Sequence, residues 1–320
     1  MAKTIALKSL PQGVSKIPTN LPDVFTLEAP PADLNLLEAD DQTLIRYGLP
    51  LKPRGRSAPR AMRTWERLLG RGFVRVQPQL RERPERKVNP GQGAAGPTTT
   101  SNVWSGGVLQ QSTDPFNYIF GQWVVPTVLP LTDTGDGDWW SVTWVGLDGW
   151  DGSDVLQAGT AQHVSRSGKT VKTEYFAWYE WYPNSWIEFS KFTVEPGDTV
   201  AVTVSFDGVD GAGLHWGSTT ISNVTRGKST SVRFNPPAGT TFLGATAEWI
   251  MERPSFGTPA VPATLPQYGE VVFTDGLVCT AKSTLDASAA FPVNMDPGGA
   301  LMSVGALSQD WKCTGAKIAE

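Results

Sequence analysis

Beyond about residue 100 the chain is written in short runs of Val, Thr, Ile and aromatic residues that alternate with polar ones and are broken by Gly, Pro, Asn and Asp. Alternation with period two marks strands, whose side chains turn to opposite faces in succession, and the 3.6-residue period of a helix is nearly absent there. Residues 141–149 predict a strand leading into an Asp-Gly turn. Residues 175–186 predict a strand that places Phe176, Trp178, Glu180 and Tyr182 on one face and Tyr175, Ala177, Tyr179 and Trp181 on the other. Residues 155–159 and 246–250 predict two more, each with one hydrogen-bonding side chain, Gln157 or Glu248, at the centre of an apolar run. The first hundred residues follow another pattern. One short amphipathic helix is expected from Asp40 or Asp41 through Leu44, Ile45 and Tyr47 to Gly48. A second is expected from near Ser57 and Pro59, carrying Met62, Trp65, Leu68 and Leu69 to Gly70 or Gly72. Residues 90–101, with Gly, Ala and successive Thr, read as a linker.

Composition narrows the architecture. The 320 residues are 40% hydrophobic and 18% charged, enough for a sizeable core. With 33 Gly, 25 Pro and 13 Trp among many short strand-like runs, the expected fold class is all-β. We expect an antiparallel sandwich of two packed curved sheets over residues 101–320, behind a partly helical segment and linker over residues 1–100. No apolar run approaches the ~20 residues that span a bilayer, so no membrane partner is expected.

Charge divides the chain further. Residues 1–100 hold 16 Lys and Arg against 9 Asp and Glu, and residues 101–320 hold 11 against 22. A basic front ahead of an acidic body suggests a pro-segment that covers an acidic cleft and releases it when carboxylates protonate. A solvated basic arm and a nucleic-acid-binding arm are the alternatives, and no nucleic-acid partner is expected. The front has too few apolar residues for a core of its own, so it needs the body to order it.

A carboxyl or carboxamide inside an apolar strand is costly to bury unpaired. Gln157 and Glu248 therefore either turn to solvent or carry a function. Other chemistry finds little support: two Cys and two His, His163 and His215, exclude a thiolate cluster and make a metal site or cofactor unexpected. No Gly-x-Ser-x-Gly elbow is present. Cys279 and Cys313 are candidates for a disulfide bracing the C-terminal strands, with two reduced thiols as the alternative. Asn223-Val224-Thr225 is a glycosylation sequon if the chain is exported.

Four segments, Trp144-Val145-Gly146-Leu147-Asp148-Gly149, Val155-Leu156-Gln157-Ala158-Gly159, Ala177-Trp178-Tyr179-Glu180-Trp181-Tyr182-Pro183 and Thr246-Ala247-Glu248-Trp249-Ile250, occur in an order and spacing that resemble the eqolisins, the glutamic peptidases. The resemblance spans roughly residues 101–271 and continues more weakly to the end. It implies a lectin-like β-sandwich with the site on a concave sheet, and an acid-active endopeptidase acting on polypeptides. Glu248 would serve as general base and then acid on a water, with Gln157 donating to the oxyanion. A carboxyl with a reference pKa of ~4.3 serves both roles in the acid range. Trp104, Trp144, Asp148, Trp178, Glu180 and Tyr182 would line the substrate groove. The resemblance also implies a secreted enzyme, although residues 1–20 show no apolar core of signal-peptide length. A monomer inhibited by its own N-terminal segment is expected. One departure stands out: Ala161 occupies a position, four residues after Gln157, where family members often carry Asp. The alternative to an enzyme is a sandwich that holds a glycan or peptide by stacking on Trp104, Trp144 and Trp178.

Overall fold

The computed structural model describes residues 16–54, 58–83, 86–87, 99–111, 113–132, 134–150, 152–307 and 310–315. The expected linker lies mostly outside the described residues. Among the described residues beyond 100 the chain is strand and turn, with helix limited to two short 3-10 turns. Seven strands of one sheet matter most here: β1 (Leu80–Glu82), β2 (Trp104–Gln110), β3 (Gly137–Leu147), β4 (Val155–Ser167), β5 (Thr170–Tyr182), β6 (Ile187–Phe189) and β7 (Thr246–Glu252). They pair antiparallel in the spatial order β1-β6-β5-β4-β3-β7-β2. The second sheet is built around Phe116–Val124, Thr199–Val209, His215–Asn223, Lys228–Phe234 and Glu270–Thr280. This is the expected antiparallel sandwich.

The two-residue period decides what faces what. Val145, Leu156, Ala158, Tyr179, Trp181 and Trp249 turn toward the second sheet and pack with Ile119, Trp123, Val202 and Val204. Trp249 is fully buried and its indole donates to the Phe120 carbonyl at 2.9 Å, so this large core side chain also has its polar atom satisfied. The opposite face of the first sheet holds Trp104, Trp144, Trp178, Ala161, Phe176 and Ile250. The two faces predicted for residues 175–182 are the observed ones.

Both expected helices form. α1 (Asp41–Arg46) is capped by Asp40, whose side chain accepts from the Thr43 amide, and Gly48 follows it at φ 61°. A side chain at Gly48 would crowd Leu27 Cδ1 and Thr220 Oγ1, and its left-handed backbone favours glycine. α2 (Ala58–Arg71) presents Trp65, Leu68 and Leu69 to Tyr118, Phe120, Ala201 and Leu277, on the outer face of the second sheet. The front is ordered by the body, through apolar burial worth about 1.5–3 kcal/mol per large side chain. It is also held by charge: Arg60 Nε donates to Asp275 at 2.9 Å and its Nη2 to Asp310 at 2.5 Å. Most of the described front therefore lies on the sheet opposite the candidate site. Of the described front, β1 is the part that pairs with the first sheet, at its edge.

Two sequence expectations are corrected. Cys279 and Cys313 are both free and buried. Cys313 pairs in register with Val271, eight positions from Cys279 on the Glu270–Thr280 strand. At ~3.3 Å per residue the thiols stand roughly 25 Å apart, far beyond disulfide reach. Asn223 is buried, with its amide donating to the Thr193 carbonyl and to Asp198, which leaves no room for a glycan in the folded chain. Among the described residues no helix is long and apolar enough to cross a membrane.

Arg233 is buried, with Nε 2.5 Å from Asp207 and Nη2 donating to the Ile45 carbonyl of α1 at 3.0 Å. Asp207→Ala strands that guanidinium and should cost about 3–5 kcal/mol, while Asp207→Leu with Arg233→Met should recover most of it. Urea unfolding of the three chains at one pH measures both effects.

Candidate active site

Strand register brings the two singled-out side chains together. Glu248 on β7 pairs with Gly146 on β3, Gly146 pairs with Gln157 on β4, and Gln157 pairs with Glu180 on β5. The four residues form one row across four strands, and all of their side-chain positions lie on the face away from the core. With strands ~4.8 Å apart, the Cα atoms of Glu248 and Gln157 are roughly 10 Å apart, within reach of two long side chains extended toward one another. Gly146 makes that possible. A Cβ there would stand 2.9 Å from Trp144 Cζ3 and 3.1 Å from Gln157 Cβ. The glycine keeps the middle of the row open.

Gln157 and Glu248 are both buried. Gln157 Nε2 donates to Glu180 Oε2 at 2.9 Å. A carboxylate can only accept, so Glu180 fixes which end of the Gln157 amide faces it and leaves the second N–H of that amide for another acceptor. Glu180, expected in the groove, is thus also the residue that orients Gln157.

Two further rows follow on one side of this one, each two residues further along β7. The first runs Ile250, Trp144, Gly159, Trp178, Glu188 and Arg81, from β7 across to β1. The second runs Trp104, Glu252, Val142, Ala161 and Phe176. Trp144 Nε1 donates to Glu252 Oε2 at 2.9 Å. That bond sets the indole whose ring edge lies over Gly146. Glu252 was missed by the sequence reading, although it stands four residues after Glu248 and strand alternation places it on the same face. Ala161 sits between Val142 and Phe176, so the departure from the family pattern lies in an apolar part of the face.

The aromatic face is closed rather than wet. Trp104, Trp144 and Trp178 are each 0% exposed, and Tyr182 is partly buried. Trp150, also missed, packs on Trp104 with ring centroids 6.1 Å apart, and Trp186 meets Trp178 edge-on at 5.2 Å. The indole N–H groups of Trp104, Trp150 and Trp178 are buried without a hydrogen-bond partner among the described residues. Such donors are unusual in a finished interior and suit a ligand rich in carbonyl acceptors.

Asp148 departs from expectation in another way. It sits at φ 67°, and its carboxylate accepts from the amides of Leu243, Gly244 and Ala245 at 2.6–2.9 Å. Its oxygens are engaged by the loop that leads into β7, which ties the turn after β3 to that loop. Burial pushes the Asp148 carboxyl up, against the pull of those amides. Asp154, which precedes β4, is pushed up to about 6, first by burial and also by the charge of Asp148, while its bond from Trp181 Nε1 at 3.1 Å acts the other way.

Among the described residues no group of three or more His, Cys, Asp and Glu is placed to hold a metal. What the face offers is carboxyls, an oriented carboxamide and buried indole donors.

The chain matches the model of the peptidase A4 family over residues 102–314. It is 28% identical over 227 residues to aspergillopepsin-2 of Aspergillus niger, covering 66% of this chain and 76% of that protein. It is 28% identical over 191 residues to scytalidopepsin B of Scytalidium lignicola, covering 57% of this chain and 64% of that protein. Among solved structures, scytalido-glutamic peptidase with a transition state analog inhibitor matches with a TM-score of 0.56 at 23% identity, over 67% of this chain and 98% of that one. That likeness carries the fold.

Gly146→Ala should lower kcat/KM by about 10- to 100-fold with little loss of secondary structure, because a methyl group displaces Trp144 or Gln157 from the row. Peptide hydrolysis alongside far-ultraviolet circular dichroism checks this. For Asp154 the folded carboxyl holds its proton to a higher pH than the unfolded one, so its share of stability is present in acid and is lost as pH rises from about 4 to 6. Asp154→Asn should flatten the fall in Tm across that window, measured by thermal unfolding at several pH values.

Proposed function

This chain belongs to the peptidase A4 family, the eqolisins, and is a glutamic endopeptidase, within which we propose that Glu248 and Gln157 form the catalytic dyad. The row Glu248, Gly146, Gln157 is the observation that carries the reading. Glu248, ionised, takes a proton from the water that attacks the scissile carbonyl. The amide N–H of Gln157 that is not bonded to Glu180 donates to the oxyanion as it forms. Glu248 then returns the proton to the leaving amine as the C–N bond breaks. A glutamine keeps its donor at every pH, so the lower limit of activity comes from Glu248 alone, and work in the acid range follows.

The buried N–H groups of Trp104, Trp150 and Trp178 support an extended polypeptide as the ligand, since a peptide backbone offers a carbonyl at each residue. Fully buried aromatic rings would have to part to admit it. We place the N-terminal segment in that role of cover: β1 pairs with β6 at the rim, and Arg86–Lys87 pair with Ser255–Phe256 just beyond β7. The family match begins after this segment, at residue 102. An extracellular location belongs to the same proposal.

Hydrolysis of an unfolded protein should be confined to the acid range, and Glu248→Gln and Gln157→Ala should each lower kcat by at least about 100-fold. Near wild-type turnover by either variant would remove that residue from the dyad. Incubation in acid should also shorten the chain between about Val88 and Ser101. Activity on added substrate with an unchanged intact mass would end the zymogen part of the reading.

A further inference from the structure

We propose that Glu188, Glu174 and the ring of Phe176 form a subsite for an arginine side chain of the polypeptide substrate, three to four residues from the bond cleaved. The proposal rests on the peptidase reading and names a class of substrate for it.

Glu188 stands in the row next to the catalytic one, two strands out from Gln157, on the same face as Trp178. Strand spacing and rise place its Cα roughly 12 Å from that of Gln157, a distance an extended peptide covers in three to four residues. Its carboxyl is only 6% exposed, yet no residue of the family-matched region is paired with it by charge among the described residues. The partners come from β1 and the residue that follows it. Arg81 donates to Glu188 Oε2 from Nε at 2.9 Å and from Nη2 at 2.6 Å, and Arg83 Nε donates to the same oxygen at 2.7 Å. Arg83 Nη2 reaches Glu174 Oε1 at 2.6 Å. Its guanidinium carbon stands 4.6 Å from the centre of the Phe176 ring.

A planar cation is thus held by two carboxylates at its edge and an aromatic ring at its face. This is a geometry that arginine meets and the point charge of lysine does not. His163 borders the subsite, with Nδ1 3.8 Å from Glu174 Oε2, and its other nitrogen lies 2.8 Å from Asp138 while its ring stacks on Trp140 at 3.7 Å. The backbone fits the same occupant. β1 adds to β6 as an antiparallel edge strand, with Arg81 opposite Glu188. Once β1 departs, that edge has open N–H and C=O groups and Glu188 has lost three donors. An arginine-bearing substrate strand restores both.

The full chain carrying Arg81→Ala and Arg83→Ala removes the two arginines from Glu188 and Glu174 and is the parent for the test. Two series of peptides, identical except for Arg or Leu at each position two to five residues from the cleaved bond, are compared by kcat/KM, with products located by mass. Binding of the same peptides is measured by fluorescence anisotropy in the parent with Glu248→Gln added. The expected result is about a 10-fold preference for Arg at one position, carried by KM, which falls toward parity in the Glu174→Gln/Glu188→Gln chain and weakens in Phe176→Leu. Equal treatment of Arg and Leu, or a preference that survives the double Gln variant, overturns the subsite. Cleavage without preference overturns the subsite alone. Arginine-selective binding without cleavage, abolished by the double variant, supports the subsite and overturns the peptidase reading instead.

Discussion

Everything at the candidate site depends on strand register. Glu248 and Gln157 are separated by about ninety residues of chain and by one intervening strand, and they share a row only because β3 pairs with both β7 and β4 at Gly146. A slip of one residue in either pairing would send one of the two side chains into the core. The opposite face prevents that slip. Val145, Leu156, Ala158, Trp249 and their neighbours form the sandwich core, so the same hydrophobic burial that stabilises the fold also fixes the alignment of the polar pair.

Around the row, the polar groups are organised in depth. Glu180 orients the Gln157 amide, Glu252 holds the Trp144 indole over the glycine gap, and Asp148 gathers three amides of the loop that delivers β7. Buried carboxyls are expensive unless satisfied, and each of these three has a donor aimed at it. These carboxyls hold neighbouring groups in place around the row in which Glu248 and Gln157, the proposed dyad, stand.

The N-terminal segment attaches by two kinds of force at two places. Apolar burial holds α1 and α2 on the second sheet, away from the site, and arginine-carboxylate contacts hold β1 at the rim of the first. Arg60 adds arginine-carboxylate contacts with Asp275 and Asp310 at the first place, so protonation of carboxylates weakens both attachments. The charge contrast between front and body was visible in the sequence; that it acts mainly at Glu174, Glu188, Asp275 and Asp310 was not.

The sequence by itself determined the class of fold, the two faces of residues 175–182, the two helices with the Asp40 cap of the first and the glycine that follows each, and Gln157 and Glu248 as polar residues in apolar strands. These follow from local periodicity and from the φ preferences of Gly, Asp and Pro, which act over a few residues. The tertiary structure alone decided the rest. Asp148 bonds to a loop ninety-five residues on, Cys279 and Cys313 lie at opposite ends of one strand's reach, and Glu188 meets arginines from the front of the chain. Each depends on which strand lies beside which, and pairing between distant segments is set by the packing of the whole core, to which no single stretch of sequence has access.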